Sequence, residues 1–127
     1  MIQSIGVDIV DIERMTKVIH RWGDKFLKKI LTPAEFAYCK NKAGQAASVA
    51  ARFAAKEALY KALPEDVQLN TGWLDIEVVN DNSGRPHLNC LGKIKNLPDR
   101  FNIHVTISHS KASAVAMVLL ERKGVLS

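Results

Sequence analysis

Pro64 divides this chain into two kinds of sequence. Before it, "QAASVAARFAAKEALYKAL" is the longest helical run, rich in alanine and stopped where proline cannot continue a helix. Beyond it, "WLDIEVV", "PHLNCL", "NIHVTIS" and "SAVAMVLL" read as short strands, with "NDNSGRP" as the turn between the first two. One further strand, Ile5 to Val10, stands ahead of the helices. Strand, helices, then strands is the order of an α+β domain with a long helix across an antiparallel sheet, not of a βαβ alternation. Within the helical half, "DIERMTKVIHRW" predicts an amphipathic helix capped by Asp11, with Ile12, Met15, Val18, Ile19 and Trp22 on one side and a stop near Gly23. "DKFLKKIL" predicts a short helix. "TPAE" has the form of a capping box with proline at the first helical position, opening a helix that runs to about Lys42 and ends at Gly44.

A chain of 127 residues reads as a single domain, 1–127, large enough to bury a core without staples. Cys39 and Cys90 lie far apart, with no second thiol or histidine at metal-finger spacing, so they read as reduced, partly buried thiols. The sequence opens without a cationic leader, and nowhere do about 18 apolar residues run together. The expectation is a soluble cytoplasmic protein with no membrane span. A net charge of +5 and a pI near 9.4 invite acidic partners: nucleic acid, a phosphorylated small molecule, or an acidic protein. A nucleic-acid module could use the ridge of Arg14, Lys17 and Arg21, which share a stripe of about 60° on the first helix. With four Phe, two Tyr and two Trp in all, however, no interleaved aromatic and basic strand is formed. A self-packing assembly protein would leave Asp8 and "SHS" without a purpose.

Asp8 interrupts a strand whose alternation puts Gly6, Asp8 and Val10 on one side. A carboxylate there needs a cation, N–H donors or solvent, unless it is simply an acid near the cap of the next helix. On the long helix Phe53, Glu57, Tyr60 and Lys61 share a stripe, with Arg52 and Lys56 beside it. Glu57 and Lys61 stand in the order of a surface i, i+4 ion pair; alternatively Glu57 joins Asp8 at a divalent cation while the basic residues hold phosphate. Magnesium suits two carboxylates, because it takes oxygen ligands and fills its remaining positions with water and phosphate oxygens. His20, His87, His104 and His109 show no spacing that would suit zinc. Ser108, His109 and Ser110 form a polar triplet that reads either as a hairpin turn or as donors to phosphate or ribose oxygens.

"GVDIVDIERM", "RFAAKEALYKAL" and "TISHS", in this order and at this separation, closely resemble the holo-acyl-carrier-protein synthases, the small type of 4′-phosphopantetheinyl transferase. "FLKKILTPAEF" and "LDIEVVNDNSGRPHL" are similar to that family's intervening segments. The resemblance implies Mg²⁺-dependent transfer of 4′-phosphopantetheine from coenzyme A to a serine of apo acyl carrier protein, releasing adenosine 3′,5′-bisphosphate, in fatty acid biosynthesis. It implies magnesium ligation by Asp8 and Glu57, and pyrophosphate neutralisation by Lys61. It further implies coenzyme A contacts from Arg52, Gly84, Arg85, Pro86, Ser108 and His109, and carrier docking on Arg14 and Arg21. It also implies a homotrimer with active sites between subunits. The family commonly follows its long helix with a Gly-Thr-Gly-like segment, whereas this chain reads "KALPEDVQLNTGW", which sets the approach to the phosphates apart.

Overall fold

The computed structural model describes residues 1–124. Strand β1 (Ile2–Asp11) leads into helix α1 (Ile12–Ile30), followed by α2 (Pro33–Cys39), the long α3 (Gln45–Ala62) and the short α4 (Glu65–Gln68). Four strands complete the fold: β2 (Ile76–Asn80), β3 (Pro86–Cys90), β4 (Phe101–His109) and β5 (Ser113–Arg122). The β4–β5 hairpin takes β1 on its far side, giving an antiparallel sheet in the order β1-β5-β4, while β2 and β3 pair by themselves. The α+β architecture expected from the element order is the one observed.

Local signals account for the helix boundaries. The Asp11 carboxylate accepts hydrogen bonds from Glu13 N (2.9 Å) and Arg14 N (3.4 Å), satisfying donors at the start of α1. Gly23, at φ 59° and ψ −145°, breaks α1, but the chain resumes helix at once, so the two helices expected on either side of it form one kinked element. Thr32 and Glu35 make the expected capping box. Helix α2 stops at Cys39 instead of Lys42, because the Cys39 carbonyl turns to accept from Lys42 N at 3.2 Å and from the Gln45 side chain at 3.3 Å. The strand expected at "WLDIEVV" begins only at Ile76; Trp73–Asp75 form a 3₁₀ turn in which the Asp75 carboxylate accepts from Gly72 N at 2.9 Å.

Helix α3 lies across the sheet and presses on β1 and β5. Ala54, Ala55, Ala58 and Ala62 are buried against Ala116, Val118 and Leu120, so small side chains let the two backbones approach closely. Gly6 is the extreme case: a Cβ there would run into the Ala58 carbonyl. The Ser4 hydroxyl donates to the Ala62 carbonyl along the same seam. A second core, with Met15, Leu27, Ile30, Cys39 and Val49, joins α1, α2 and the first half of α3. Both cysteines are free, and burial pushes the Cys90 thiol up to about 11.

Candidate active site

The close seam between β1 and α3 determines where the acids meet. Strand alternation turns Gly6 and Asp8 toward the helix and leaves Ile5, Val7 and Ile9 on the opposite, exposed face. Asp8 and Glu57 consequently line one open cleft of about 610 Å³, whose wall also includes Arg14, Phe53 and Ser113. The Asp8 side chain is 17% exposed and accepts from Lys61 Nζ at 2.9 Å; the same ammonium donates to the Val7 carbonyl at 3.1 Å. Lys61 therefore reaches across to the strand instead of pairing with Glu57 one turn earlier. At the strand the ammonium finds a carboxylate and, in the Val7 carbonyl, a second acceptor. Glu57 takes a different donor, the indole N–H of Trp73, at 3.2 Å from Oε2.

Among the described residues no group of three or more His, Cys, Asp or Glu is arranged around a metal position. An ion held in this cleft would thus rest on Asp8 and Glu57. They form an all-oxygen pair, each with one carboxylate oxygen engaged in a hydrogen bond among the described residues, and that donor set fits magnesium.

A second pocket, of about 480 Å³, gathers Arg52, Gly84, Pro86 and His109 with Tyr38, Lys42, Ser48 and Asn80. Arg52 is only 6% exposed; its guanidinium stacks 4.2 Å from the centre of the Tyr38 ring, and its Nε is buried with no partner among the described residues. Lys42 Nζ donates to the Tyr38 hydroxyl at 2.5 Å, holding that hydroxyl below its ordinary range. An orphaned guanidinium N–H beside an ammonium and an imidazole suits an anion, phosphate above all.

Two of the sequence-derived residues stand elsewhere. Ser108 is adjacent to His109 in β4 and so projects from the opposite face of the sheet, opposite Val115. Arg85 sits on the rim of the hairpin and lines a neighbouring groove of about 380 Å³ with His104 and Thr106. Ser110 behaves as a turn residue, its hydroxyl accepting from Ala112 N and Ser113 N. Arg14 borders the carboxylate cleft, whereas Arg21, further along α1, stacks on Trp22 at 5.2 Å.

Lys56, grouped with Arg52 in the sequence as a phosphate holder, does something else. It is completely buried, and its ammonium donates to Ile30 O (2.6 Å), Glu35 Oε1 (2.6 Å) and Trp73 O (3.0 Å). Glu35, expected only as a capping residue, accepts in addition from Val78 N at 2.8 Å. Lys42, Tyr38 and Trp73 were not legible as site residues, because each joins its pocket through a loop or a helix end that carries no periodicity.

Residues 4–118 match the family model of the 4′-phosphopantetheinyl transferase superfamily. The chain belongs to that superfamily. Its relatives include the holo-[acyl-carrier-protein] synthase of Syntrophus aciditrophicus (strain SB), 44% identical across 95% of this chain and 97% of that one. A holo-(acyl-carrier-protein) synthase from Bacillus anthracis str. Ames, crystallised in complex with CoA (3′,5′-ADP), superposes with a TM-score of 0.81 at 40% identity, covering 97% of this chain and 99% of that one. The Helicobacter pylori enzyme, solved in complex with coenzyme A, gives a TM-score of 0.74 at 32% identity, over 92% and 99% of the two chains. Both pockets described above fall within the part of this 4′-phosphopantetheinyl transferase that the family model covers.

Proposed function

We propose that the chain is a holo-[acyl-carrier-protein] synthase, moving the 4′-phosphopantetheine arm of coenzyme A onto a serine of apo acyl carrier protein and releasing adenosine 3′,5′-bisphosphate. The observation that carries this reading is the pairing of two sites on a chain of this family. One is a cleft with two carboxylates and a lysine; the other is a pocket with a buried arginine, its Nε without a partner among the described residues, beside Lys42 and His109.

The chemistry asks little of the protein beyond placement and charge neutralisation, because the nucleophile belongs to the partner. The serine oxygen bonds to the phosphorus that carries pantetheine, the bond from that phosphorus to the bisphosphate breaks, and the serine proton passes to a carboxylate or to a bound water. Asp8 and Glu57 are the carboxylates at hand, and either can take that proton directly or through water. Magnesium held by the two would neutralise the pyrophosphate and stabilise the leaving phosphate. Lys61 can share that charge, since its ammonium already sits 2.9 Å from Asp8. Arg52, Lys42 and His109 hold the remaining phosphate of the donor, with the Gly84–Pro86 turn beside the nucleotide.

The exposed strip of Arg14 and Arg21 suits an acidic carrier. Ile5, Val7 and Ile9 are 57%, 55% and 68% exposed, flanked on β5 by Val115, Met117 and Leu119. Such a contiguous apolar face supports a homotrimer in which neighbouring subunits complete one another's sites, with Ser108 on the covered side. No helix among the described residues is long and apolar enough to cross a membrane, which accords with a role in cytoplasmic fatty acid synthesis.

Incubation with apo carrier protein, coenzyme A and Mg²⁺ should add one phosphopantetheine mass to the carrier, and chelation should stop it. Asp8→Ala and Glu57→Ala should each lower kcat by roughly 10²–10³-fold, the range seen when a charge-stabilising group is removed. A full rate in Glu57→Ala would remove that residue from the site.

A further inference from the structure

We propose that Trp73 is a positioning residue for Glu57, and that the buried Lys56–Glu35 pair exists in part to hold Trp73 in place. The inference rests on Glu57 serving as a magnesium ligand, as read above.

Trp73 is tied at both ends. Its indole N–H donates to Glu57 Oε2 at 3.2 Å, and its backbone carbonyl accepts from Lys56 Nζ at 3.0 Å. The ring also rests against Phe53, with centroids 5.9 Å apart and planes tilted by 38°. Lys56 and Glu57 are neighbours on α3, so one helical turn grips the backbone of residue 73 with one side chain and receives its ring with the next. Lys56 is fixed in turn, because its other two donors end on Ile30 and on Glu35, whose carboxylate is held by Thr32 N and Val78 N. The chain of contacts runs from fully buried side chains to a carboxylate at the mouth of the cleft.

A glutamate on a helix has three side-chain torsions, and left alone it would present either oxygen in several directions. The indole N–H occupies Oε2 and leaves Oε1 for the ion. That is the task hydrogen-bonding partners of metal-ligating carboxylates perform, and losing such a partner commonly lowers affinity or activity about 10- to 100-fold. The segment that bears Trp73 also walls a pocket of about 300 Å³ with Glu57 and Tyr60. The "LNTGW" stretch, where this chain departs from the family's glycine pattern, thereby acquires a role: it delivers an aromatic donor to the acid.

Trp73→Phe keeps a ring against Phe53 and removes the N–H. With an unchanged melting temperature, its coenzyme A complex should bind Mg²⁺ about tenfold more weakly by titration calorimetry, and kcat at fixed sub-saturating Mg²⁺ should fall while KM for coenzyme A stays within twofold. In ¹⁵N-labelled wild type with coenzyme A, Mg²⁺ should move the indole resonance of Trp73 and leave that of Trp22 in place. If Glu57→Ala weakens Mg²⁺ binding and Trp73→Phe does not, the positioning role is overturned and the ligand assignment stands. If neither variant changes Mg²⁺ binding, both fall together.

Discussion

Lys56 and Glu35 are 0% and 1% exposed, a burial that charged side chains tolerate only with full hydrogen bonding. All three ammonium protons find oxygen acceptors, yet burial still holds the ammonium below the ordinary lysine range. Lys56→Met should cost about 3–5 kcal/mol in urea unfolding, since it strands Glu35 without its cation. Pairing it with Glu35→Gln should recover part of that loss. Neither partner was legible from the sequence. Glu35 sits at the third position of a capping box and Lys56 on a helix that also carries Arg52, and nothing in those local patterns links residues 21 positions apart. The same holds for Trp73 and Glu57, which meet across a turn without periodicity. Asp8 was legible, because a single acid on the glycine side of an apolar strand violates the local rule and demands a partner.

Elements were easier to read than contacts, since caps and breakers act within a few residues. Asp11 and Thr32 with Glu35 mark their boundaries through side-chain hydrogen bonds to backbone N–H groups, and Pro64 marks the end of α3 by having no N–H to continue it. Alanine content marks α3 as a helix that neighbours can approach closely, but not which strand does so or at which residue. Gly6→Ala places a methyl group against the Ala58 carbonyl, so the strand must move off the helix. A loss of about 1–3 kcal/mol is expected, with a drop in turnover exceeding what the lost stability explains, because Asp8 and Glu57 lie on the two separated elements. The β2–β3 hairpin has its own brace. Asp81 accepts from the Ser83 hydroxyl (2.6 Å), Ser83 N (2.8 Å), His87 Nε2 (2.9 Å) and Arg85 N (3.0 Å), which holds its carboxyl well below the ordinary 3.8. A group depressed on folding contributes stability above its unfolded value, and that contribution fades as pH falls through the folded one. The Ser83 and Arg85 amides should therefore keep their native shifts in an NMR titration through the ordinary carboxylate range and move only at lower pH. In Asp81→Asn that acid-side transition should be absent.

At the level of the molecule, the sheet order puts β1 at an edge, with one face closed by α3 and the other exposing three branched apolar side chains. If copies join along this face as proposed, Val7→Lys should yield monomers by light scattering after size exclusion, together with loss of transferase activity, because a lysine opposite Met117 would be buried in the seam without a partner. A folded but inactive monomer would support sites shared between copies; an active one would place the whole reaction within a single chain. Charge and composition narrowed the partner to something acidic, but which surfaces meet depends on geometry that a linear pattern does not carry. Strand β1 has a double allegiance: ten consecutive residues supply both a wall of the carboxylate cleft and the seam along which copies would join. If the sites are shared between copies as proposed, thinning the solution should slow each enzyme molecule as well as the total rate, so that specific activity becomes a gauge of protein concentration.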